Sequence, residues 1–343
     1  MADPQALGKH RAFCLAEDRG GAEIGIKFAI LSLREHCPEA HVFLYRPNPI
    51  PEFREWLRPH SEMVTLIDHW PAGAQGWNCK PHTLLPILRE GWREVVWLDS
   101  DAILSASVSA LLDSLKDDEI VVAEEAASQP DKGTELRTRG WNFAVGRSIP
   151  CTLNSSFLRV TARHEPLLSR WQECLESEEY HRYDGCPLME RPPHARSDQD
   201  VLNALLGSAE FAHHPVRLLH TGRDIIHCGG ALGYGLGERL RGIFGPSPMV
   251  LHAIGGKPWV MLGPGCPDKG WFGMLRRLMQ ELSPYVAAVR KYREAVQEPC
   301  PWLDYHTAPG IVLRVLGLGN HALRGLPVTV LATMWSMFRR SPA

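Results

Sequence analysis

Two aspartates separated by one residue follow an apolar run near the middle of the first half of the chain. Residues 94–104 read EVVWLDSDAIL, and the run at 95–98 predicts a buried strand that ends at Asp99 and Asp101. Hard cations such as Mn²⁺ and Mg²⁺ prefer carboxylate oxygens and share their remaining coordination positions with substrate phosphates. The pattern therefore predicts a site for one of these cations. The alternative is a turn with two solvated acids, since Asp-x-Asp is common by chance.

Three other segments carry polar side chains at the ends or in the middle of predicted apolar elements. Residues 153–160 read LNSSFLRV, residues 196–206 read RSDQDVLNALL, and residues 250–259 read VLHAIGGKPW. In the second segment, the acids open a predicted helix, where a capping role alone is the alternative. The polar residues of interest are Asn154, Ser155, Asp198, Gln199, Asp200, His252 and Lys257.

The elements that position these residues alternate between apolar runs and helical patterns. Strands are predicted at residues 12–16, 41–45, 63–67, 94–98, 120–123 and 152–160, and helices at 24–35, 80–89, 165–176 and 198–206. This alternation favours a largely parallel sheet with helices on both faces, in which ligands bind beyond the carboxyl ends of the strands. Residues 269–296 predict a long helix broken at Pro284, and the polar residues 128–140 predict a loop.

In this order, the four segments resemble the metal-dependent retaining glycosyltransferases of the GT-A fold. They are most similar to glycosyltransferase family 8, which includes glycogenin and bacterial lipopolysaccharide glycosyltransferases, over about residues 13–259. The resemblance implies an α/β, Rossmann-like, mixed and mostly parallel sheet flanked by helices. We expect a catalytic domain at 1–268, with a nucleotide-sugar half at about 1–125 and an acceptor half at about 126–268. A helical C-terminal region is expected at 269–343.

The resemblance also implies a role for each matching residue. The metal ligands would be Asp99, Asp101 and His252, and the candidate catalytic residues Asp198, Gln199 and Asp200. The nucleotide sugar would lie against Ala16, Glu17, Asp18, Lys80, Ser100, Asn154, Ser155, Gly255 and Lys257. Two positions depart from the family pattern. The H-x-x-G-x-x-K-P-W motif is one residue shorter here, and Ser156 stands where the family has glycine.

The resemblance implies transfer of a hexose from a nucleotide sugar, with UDP as the expected nucleotide, to a glycan, glycolipid or other acceptor. The anomeric configuration would be retained, and Mn²⁺ or Mg²⁺ would be the cofactor. Two alternatives remain open. Asp-x-Asp after a buried strand is also typical of haloacid-dehalogenase phosphatases, in which the first aspartate is the nucleophile. The chain could instead be a non-catalytic protein that binds a nucleotide sugar.

Composition limits the partners and the location. The 343 residues carry a formal net charge of -2, which provides no basic field for a nucleic acid. The nine cysteines include no CxxC pair, and therefore predict reduced thiols of a cytoplasmic protein. No run of 18 apolar residues occurs, so no transmembrane span is predicted. After Asp304 there is no acidic residue, while arginines flank apolar segments. That tail predicts either peripheral contact with a membrane surface or a last helix packed on the domain.

Overall fold

The computed structural model describes residues 10–126, 133–229, 234–263, 266 and 270–340. Ten strands lie in these ranges: β1 (Arg11–Ala16), β2 (His41–Tyr45), β3 (Val64–Ile67), β4 (Glu94–Leu98), β5 (Ala102–Leu104), β6 (Ile120–Glu124), β7 (Leu153–Thr161), β8 (Val216–Leu219), β9 (Ile225–His227) and β10 (Val250–His252). Seven of them form one sheet in the order β3-β2-β1-β4-β7-β6-β8, and the others form a small sheet in the order β5-β10-β9.

The direction of the strands determines which loops meet. β1, β2, β3 and β4 run parallel, and β6 runs parallel to β8, whereas β7 is antiparallel to both β4 and β6. The carboxyl ends of β1, β4 and β6 therefore lie at the same edge of the sheet as the amino end of β7. In the small sheet, His252 is the register partner of Ala102. That pairing brings the histidine next to Asp101, although about 150 residues separate them in sequence.

The helices surround these sheets. They are α1 (Glu23–His36), α2 (Pro51–Leu57), α3 (Cys79–Arg89), α4 (Ser109–Asp113), α5 (Glu135–Gly140), α6 (Glu165–Leu175), α7 (Glu178–Asp184), α8 (Asp198–Gly207), α9 (Leu236–Phe244), α10 (Pro258–Met261), α11 (Gly270–Glu281), α12 (Pro284–Val289), α13 (Ala308–Leu316), α14 (His321–Arg324) and α15 (Leu326–Arg340). The four helices predicted in the α/β region are confirmed to within two residues. The predicted break at Pro284 is confirmed, because α12 begins there and the Ser283 side chain caps it.

One prediction about local structure was wrong. The polar segment 128–140 was expected to be a loop, yet its last six residues form α5; residues 127–132 lie outside the described ranges. Polarity is misleading here because Arg137 is fully buried and pairs with Asp200 at the start of α8. A charged side chain with a buried partner belongs to the interior, and sequence polarity does not reveal the partner.

Apolar residues pack on both faces of the large sheet. Alternate residues of β1 point to opposite sides: Phe13 and Leu15 join one buried cluster, and Ala12 and Cys14 join the other. All five residues of β4 are buried, as expected for a central strand covered by helices on both faces. The predicted α/β architecture is confirmed. The sheet includes strands from both sides of residue 125, and the division of the chain at residues 125 and 268 remains a prediction.

Candidate active site

Asp99, Asp101 and His252 converge beyond the carboxyl end of β4. One ligand atom from each lies within 4.8 Å of the others. The Nε2 atom of His252 is 3.7 Å from an Asp99 carboxylate oxygen and 3.3 Å from an Asp101 carboxylate oxygen. Two carboxylates and one imidazole suit Mn²⁺ or Mg²⁺, and this donor set leaves coordination positions for a substrate. These side chains therefore fit the predicted metal.

A second histidine determines which nitrogen of His252 is available. His227 donates from Nε2 to the Glu124 carbonyl at 2.8 Å, and its Nδ1 lies 3.0 Å from Nδ1 of His252. Burial lowers the pKa of both histidines, which favours the neutral rings. A neutral His227 that donates from Nε2 must accept at Nδ1, so His252 carries its proton on Nδ1. Its Nε2 lone pair then faces the two carboxylates, as a metal ligand requires.

Sequence reasoning gave His227 no role, because its spacing to the other histidines fits no common metal pattern. The signal was present in a different form. His227 ends β9 and His252 ends β10, so both are the last residues of short apolar strands. The two strands pair in parallel with these residues in register.

Basic side chains balance the negative charge of the two aspartates. Lys257 contacts Asp101 directly, and also donates to the Ala253 carbonyl at 3.0 Å. The Trp97 indole donates to Asp99 at 2.6 Å. Burial raises the pKa of Asp99, but the charge of Lys80 and the Trp97 hydrogen bond outweigh it, and the pKa is lowered overall. Asp99 is therefore ionised at neutral pH, as metal binding requires.

The predicted departure in the histidine motif does not prevent Lys257 from reaching the cluster. Gly255 adopts a φ of 74°, in the left-handed region, and a Cβ placed there would meet nothing within 4 Å. Glycine adopts this conformation without steric cost. The resulting turn returns the chain so that Lys257 contacts Asp101, five residues after His252 leaves β10.

Lys80 connects the metal cluster to the start of α8. Its Nζ donates to Asp198 at 2.7 Å and lies 3.8 Å from Asp99. Burial lowers the pKa of Lys80, but the two carboxylates outweigh it, and the pKa is raised. The lysine is therefore charged in the folded protein. Ser155, at the amino end of β7, also donates to Asp198, at 3.3 Å.

Glu125 is a buried carboxylate of the site that the sequence analysis did not identify. It follows β6 directly and accepts from the side-chain amides of Asn154 at 2.8 Å and Gln199 at 2.9 Å, and from the Ala126 backbone. Burial raises its pKa, but the hydrogen bonds from the two amides and from the Ala126 N–H outweigh it, so the pKa is lowered. Glu125 therefore fixes the orientation of two predicted site residues. Its only sequence signal was a position just beyond an apolar run.

Glu17 and Ser100 close the site at the end of β1. Ser100 donates to Glu17 at 2.6 Å, and the Arg19 guanidinium donates to the same carboxylate at 2.6 Å and 2.8 Å. Burial raises the pKa of Glu17, but these hydrogen bonds outweigh it, and the pKa is lowered. Glu17 thus serves as an ionised anchor for the loop that carries Ser100 between the two aspartates.

Asp200 is held differently from its neighbours in α8. It is buried and accepts from the Arg137 guanidinium at 2.6 Å and from the Ser197 hydroxyl at 2.7 Å. Both of its carboxylate oxygens therefore already have protein partners. This arrangement fixes the start of α8 against α5, and it indicates a positioning role for Asp200.

Asp200→Asn is expected to lower the free energy of unfolding by about 2 kcal/mol, because the Arg137 charge would remain buried beside a neutral amide. The loss should be measured by urea denaturation with circular dichroism. Asp68→Asn, at an exposed carboxylate that pairs with Arg54 and His69, provides the control and should leave the stability almost unchanged. A stable Asp200→Asn protein without transfer activity would contradict the positioning role.

All of the predicted site residues lie in one cleft of about 860 Å³. Its lining includes Ala16, Glu17, Asp18, Lys80, Asp99, Ser100, Asp101, Asn154, Ser155, Asp198, Gln199, Asp200, His252, Gly255 and Lys257. The missed residue Glu125 also lines it, and Trp77 stands exposed at its wall. We call this space the active-site cleft. The structure brings these residues together, and their individual roles remain predictions.

No protein-family model and no curated protein matches the sequence. Similar solved structures include galactosyltransferase LgtC in complex with donor and acceptor sugar analogues, at 18% identity and a TM-score of 0.46, covering 83% of this chain and 99% of that one. GlyE of Streptococcus pneumoniae TIGR4 matches at 18% identity and a TM-score of 0.49, covering 85% of this chain and 65% of that one. The bifunctional glycosyltransferase WbbM matches at 13% identity and a TM-score of 0.47, covering 84% of this chain and 51% of that one.

These three neighbours are glycosyltransferases. The matched part spans about two thirds of the GlyE chain and half of the WbbM chain. At this level of similarity, the function of the present chain must follow from its own residues.

Proposed function

We propose that this protein is a metal-dependent glycosyltransferase that moves a hexose from a nucleotide sugar, with UDP as the expected nucleotide, to a glycan or glycolipid acceptor. The observation that supports it most is the Asp99–Asp101–His252 cluster at the wall of the active-site cleft, with Lys80 and Lys257 beside it. Two carboxylates and a neutral imidazole suit a cation, and two lysines suit the phosphates of a nucleotide.

The reaction breaks the bond between the anomeric carbon and the diphosphate, and the leaving group gains negative charge. A divalent cation held by the cluster supplies positive charge at that group. Lys257 adds to it: burial and Arg19 lower the pKa of Lys257 to about 8, so this lysine is still mostly protonated at neutral pH. Fixed positive charge in a partly buried site stabilises the leaving group more than the same charge would in water.

The sugar side of the cleft is lined by amides and carboxylates. Asn154 and Gln199 are held by Glu125, and Asp198 is held by Lys80 and Ser155. Positioned oxygens of this kind stabilise the oxocarbenium character that develops at the anomeric carbon. Among the described residues, both carboxylates at the start of α8 have protein partners, so we assign no covalent nucleophile. Retention is the outcome that the family resemblance implies, and without a nucleophile it would proceed by transfer on the same face of the sugar.

The donor proposal is tested by thermal shift with a set of UDP-, GDP- and ADP-hexoses, each with and without Mn²⁺ or Mg²⁺. A ligand that binds only the folded state raises the midpoint temperature of unfolding by mass action. We expect UDP-hexoses to raise it in the presence of the metal and to have little effect in EDTA. Equal shifts with and without metal, or no shift with any nucleotide sugar, would refute the proposal.

The phosphatase and binding-protein alternatives make different predictions. A haloacid-dehalogenase phosphatase would need one aspartate free to attack phosphorus, whereas Asp99 accepts from Trp97 and Asp101 contacts Lys257. Release of phosphate from simple phosphoesters would favour the phosphatase. Tight metal-dependent binding of a UDP-hexose, without its consumption in the presence of any acceptor, would favour the binding protein.

The C-terminal helices supply the surface for the proposed membrane contact. Large apolar side chains are exposed on α13, just after it and on α15: Ile311, Val312, Val315, Leu316, Leu318, Leu331 and Met334. The segment after Asp304 contains arginines and no acid. Such a surface fits an anionic lipid interface, where apolar residues enter the boundary and arginines meet the headgroups. Within the described ranges, no helix is long and apolar enough to span a bilayer.

The double substitution Val315→Glu with Leu316→Glu is expected to reduce binding to phosphatidylglycerol-containing vesicles at least about tenfold, because two exposed apolar side chains become anionic. Co-sedimentation with vesicles provides the measurement. Leu136→Glu, at an exposed leucine of α5, is the control. Wild-type protein that does not bind these vesicles, or a double variant that binds them as tightly as the wild type, would contradict the membrane assignment.

A further inference from the structure

A second cavity, of about 1360 Å³, lies beside the active-site cleft. It is bordered by the loops after β1 and β2, the start of α1 and the chain that follows α12. Four tryptophans line it, Trp56, Trp70, Trp259 and Trp302, and we call it the tryptophan cavity. Asp18 and Trp70 line both spaces. Neither the metal cluster nor the start of α8 borders it, so the proposed chemistry leaves this cavity without a role.

Paired charges stand among the tryptophans. Lys27 lies 3.0 Å from Glu298, donates to the Val296 carbonyl at 3.1 Å and sits 5.2 Å from the Trp56 ring centre. Glu23 contacts Arg46, which is almost fully buried. The Nε–H of Arg46 is buried without a hydrogen-bond partner in the protein. An unpartnered buried donor is costly, and this one belongs to a residue of the cavity wall.

The charge of the lining restricts the class of ligand. Five carboxylates and two basic side chains border the cavity: Asp18, Glu23, Glu52, Glu55, Glu298, Lys27 and Arg46. This excess of negative charge disfavours a phosphate or a nucleotide. Trp56 and Trp302 are almost fully buried, whereas Trp70 and Trp259 are only half-buried. The indoles of Trp70 and Trp259, next to charged hydrogen-bonding groups, match a pyranose, which has apolar C–H faces and a rim of hydroxyls.

We propose that the tryptophan cavity binds a neutral, hydroxyl-rich oligosaccharide. If the proposed transfer activity holds, this ligand is the acceptor glycan, held beside the donor through the shared Asp18 and Trp70. The binding itself requires neither the metal nor the nucleotide, because none of the metal-cluster residues lines this cavity.

The test screens the protein against an array of neutral oligosaccharides in EDTA and titrates the tightest binder by calorimetry. We expect wild-type protein to bind without metal and UDP not to compete. Lys27→Met should weaken binding about tenfold or more, because a charged donor is lost. Glu298→Gln should also weaken binding. Because the Glu298 side chain is 37% exposed, this second variant should fold even where Lys27→Met does not. Lys291→Met, at an exposed pair with Glu35, is the matched control.

Three results would overturn the proposal: no array member binds the wild-type protein, UDP displaces the bound oligosaccharide, or both variants bind it as tightly as the control. The same preparations are titrated with UDP and Mn²⁺. Protein that binds UDP but no oligosaccharide contradicts this inference alone, whereas protein that binds an oligosaccharide but no nucleotide contradicts the donor proposal alone.

Discussion

Asp101→Asn is expected to reduce metal-dependent glycosyl transfer by about 1000-fold or more. The substitution keeps the shape of the side chain but removes one of the two carboxylates that face His252. Loss of that charge weakens cation binding, and with it the stabilisation of the departing diphosphate. Initial rates with a UDP-hexose over a range of Mn²⁺ concentrations provide the measurement. The Mn²⁺ concentration that gives the half-maximal rate should rise, while the maximal rate itself falls.

Asp304→Asn is a suitable control, because this exposed aspartate pairs with Arg293 away from the cleft. Its rate and its metal dependence should match those of the wild type. The fold of Asp101→Asn should be preserved, since Lys257 retains the Ala253 carbonyl as a partner. A variant with normal turnover and normal metal dependence would show that Asp101 is not a ligand.

Glu125→Gln is expected to lower kcat by about 100-fold with little change in the KM for the donor. Glutamine is similar in size, but its amide presents a donor where Glu125 now accepts from Asn154 and Gln199. Those two amides would lose the orientation that Glu125 fixes in the cleft, whereas the metal cluster would remain intact. One misoriented polar group in an active site commonly costs about this much.

Glu124→Gln tests the neighbouring carboxylate, which contacts His220 and the Thr221 backbone instead. We expect it to change kcat by less than about threefold. A merely structural role for Glu125 would lower stability and change kcat and KM together. Unchanged kcat in Glu125→Gln would contradict its positioning role.

The part of the site that sequence predicted well consists of residues that follow apolar runs. Asp99 and Asp101 come after β4, and the strand itself is readable because Val95 to Leu98 are all apolar. Since parallel strands place their carboxyl ends at one edge, local patterns were sufficient to suggest a cleft there. His252 was tied to that edge only by the family resemblance, because the pairing of β10 with β5 is a long-range contact.

The part that sequence missed depends on partners far away in the chain. His227 and Glu125 carry only a weak local signal, a position at the end of or just beyond an apolar run, and Arg137 carries none. Each acquires its position through a residue at least 25 positions away: His252, Asn154 or Gln199, and Asp200. Buried polar groups must find such partners, but which partner depends on the tertiary fold. The tryptophan cavity is similar, because its lining comes from five separate segments.

An anomalous-difference map of a crystal soaked with Mn²⁺ and UDP tests the central claim most directly. The account predicts one manganese peak within bonding distance of Asp99, Asp101 and His252, with the diphosphate bound to the same ion and Lys257 against it. A manganese peak elsewhere in the molecule, with UDP bound away from these three side chains, would contradict it.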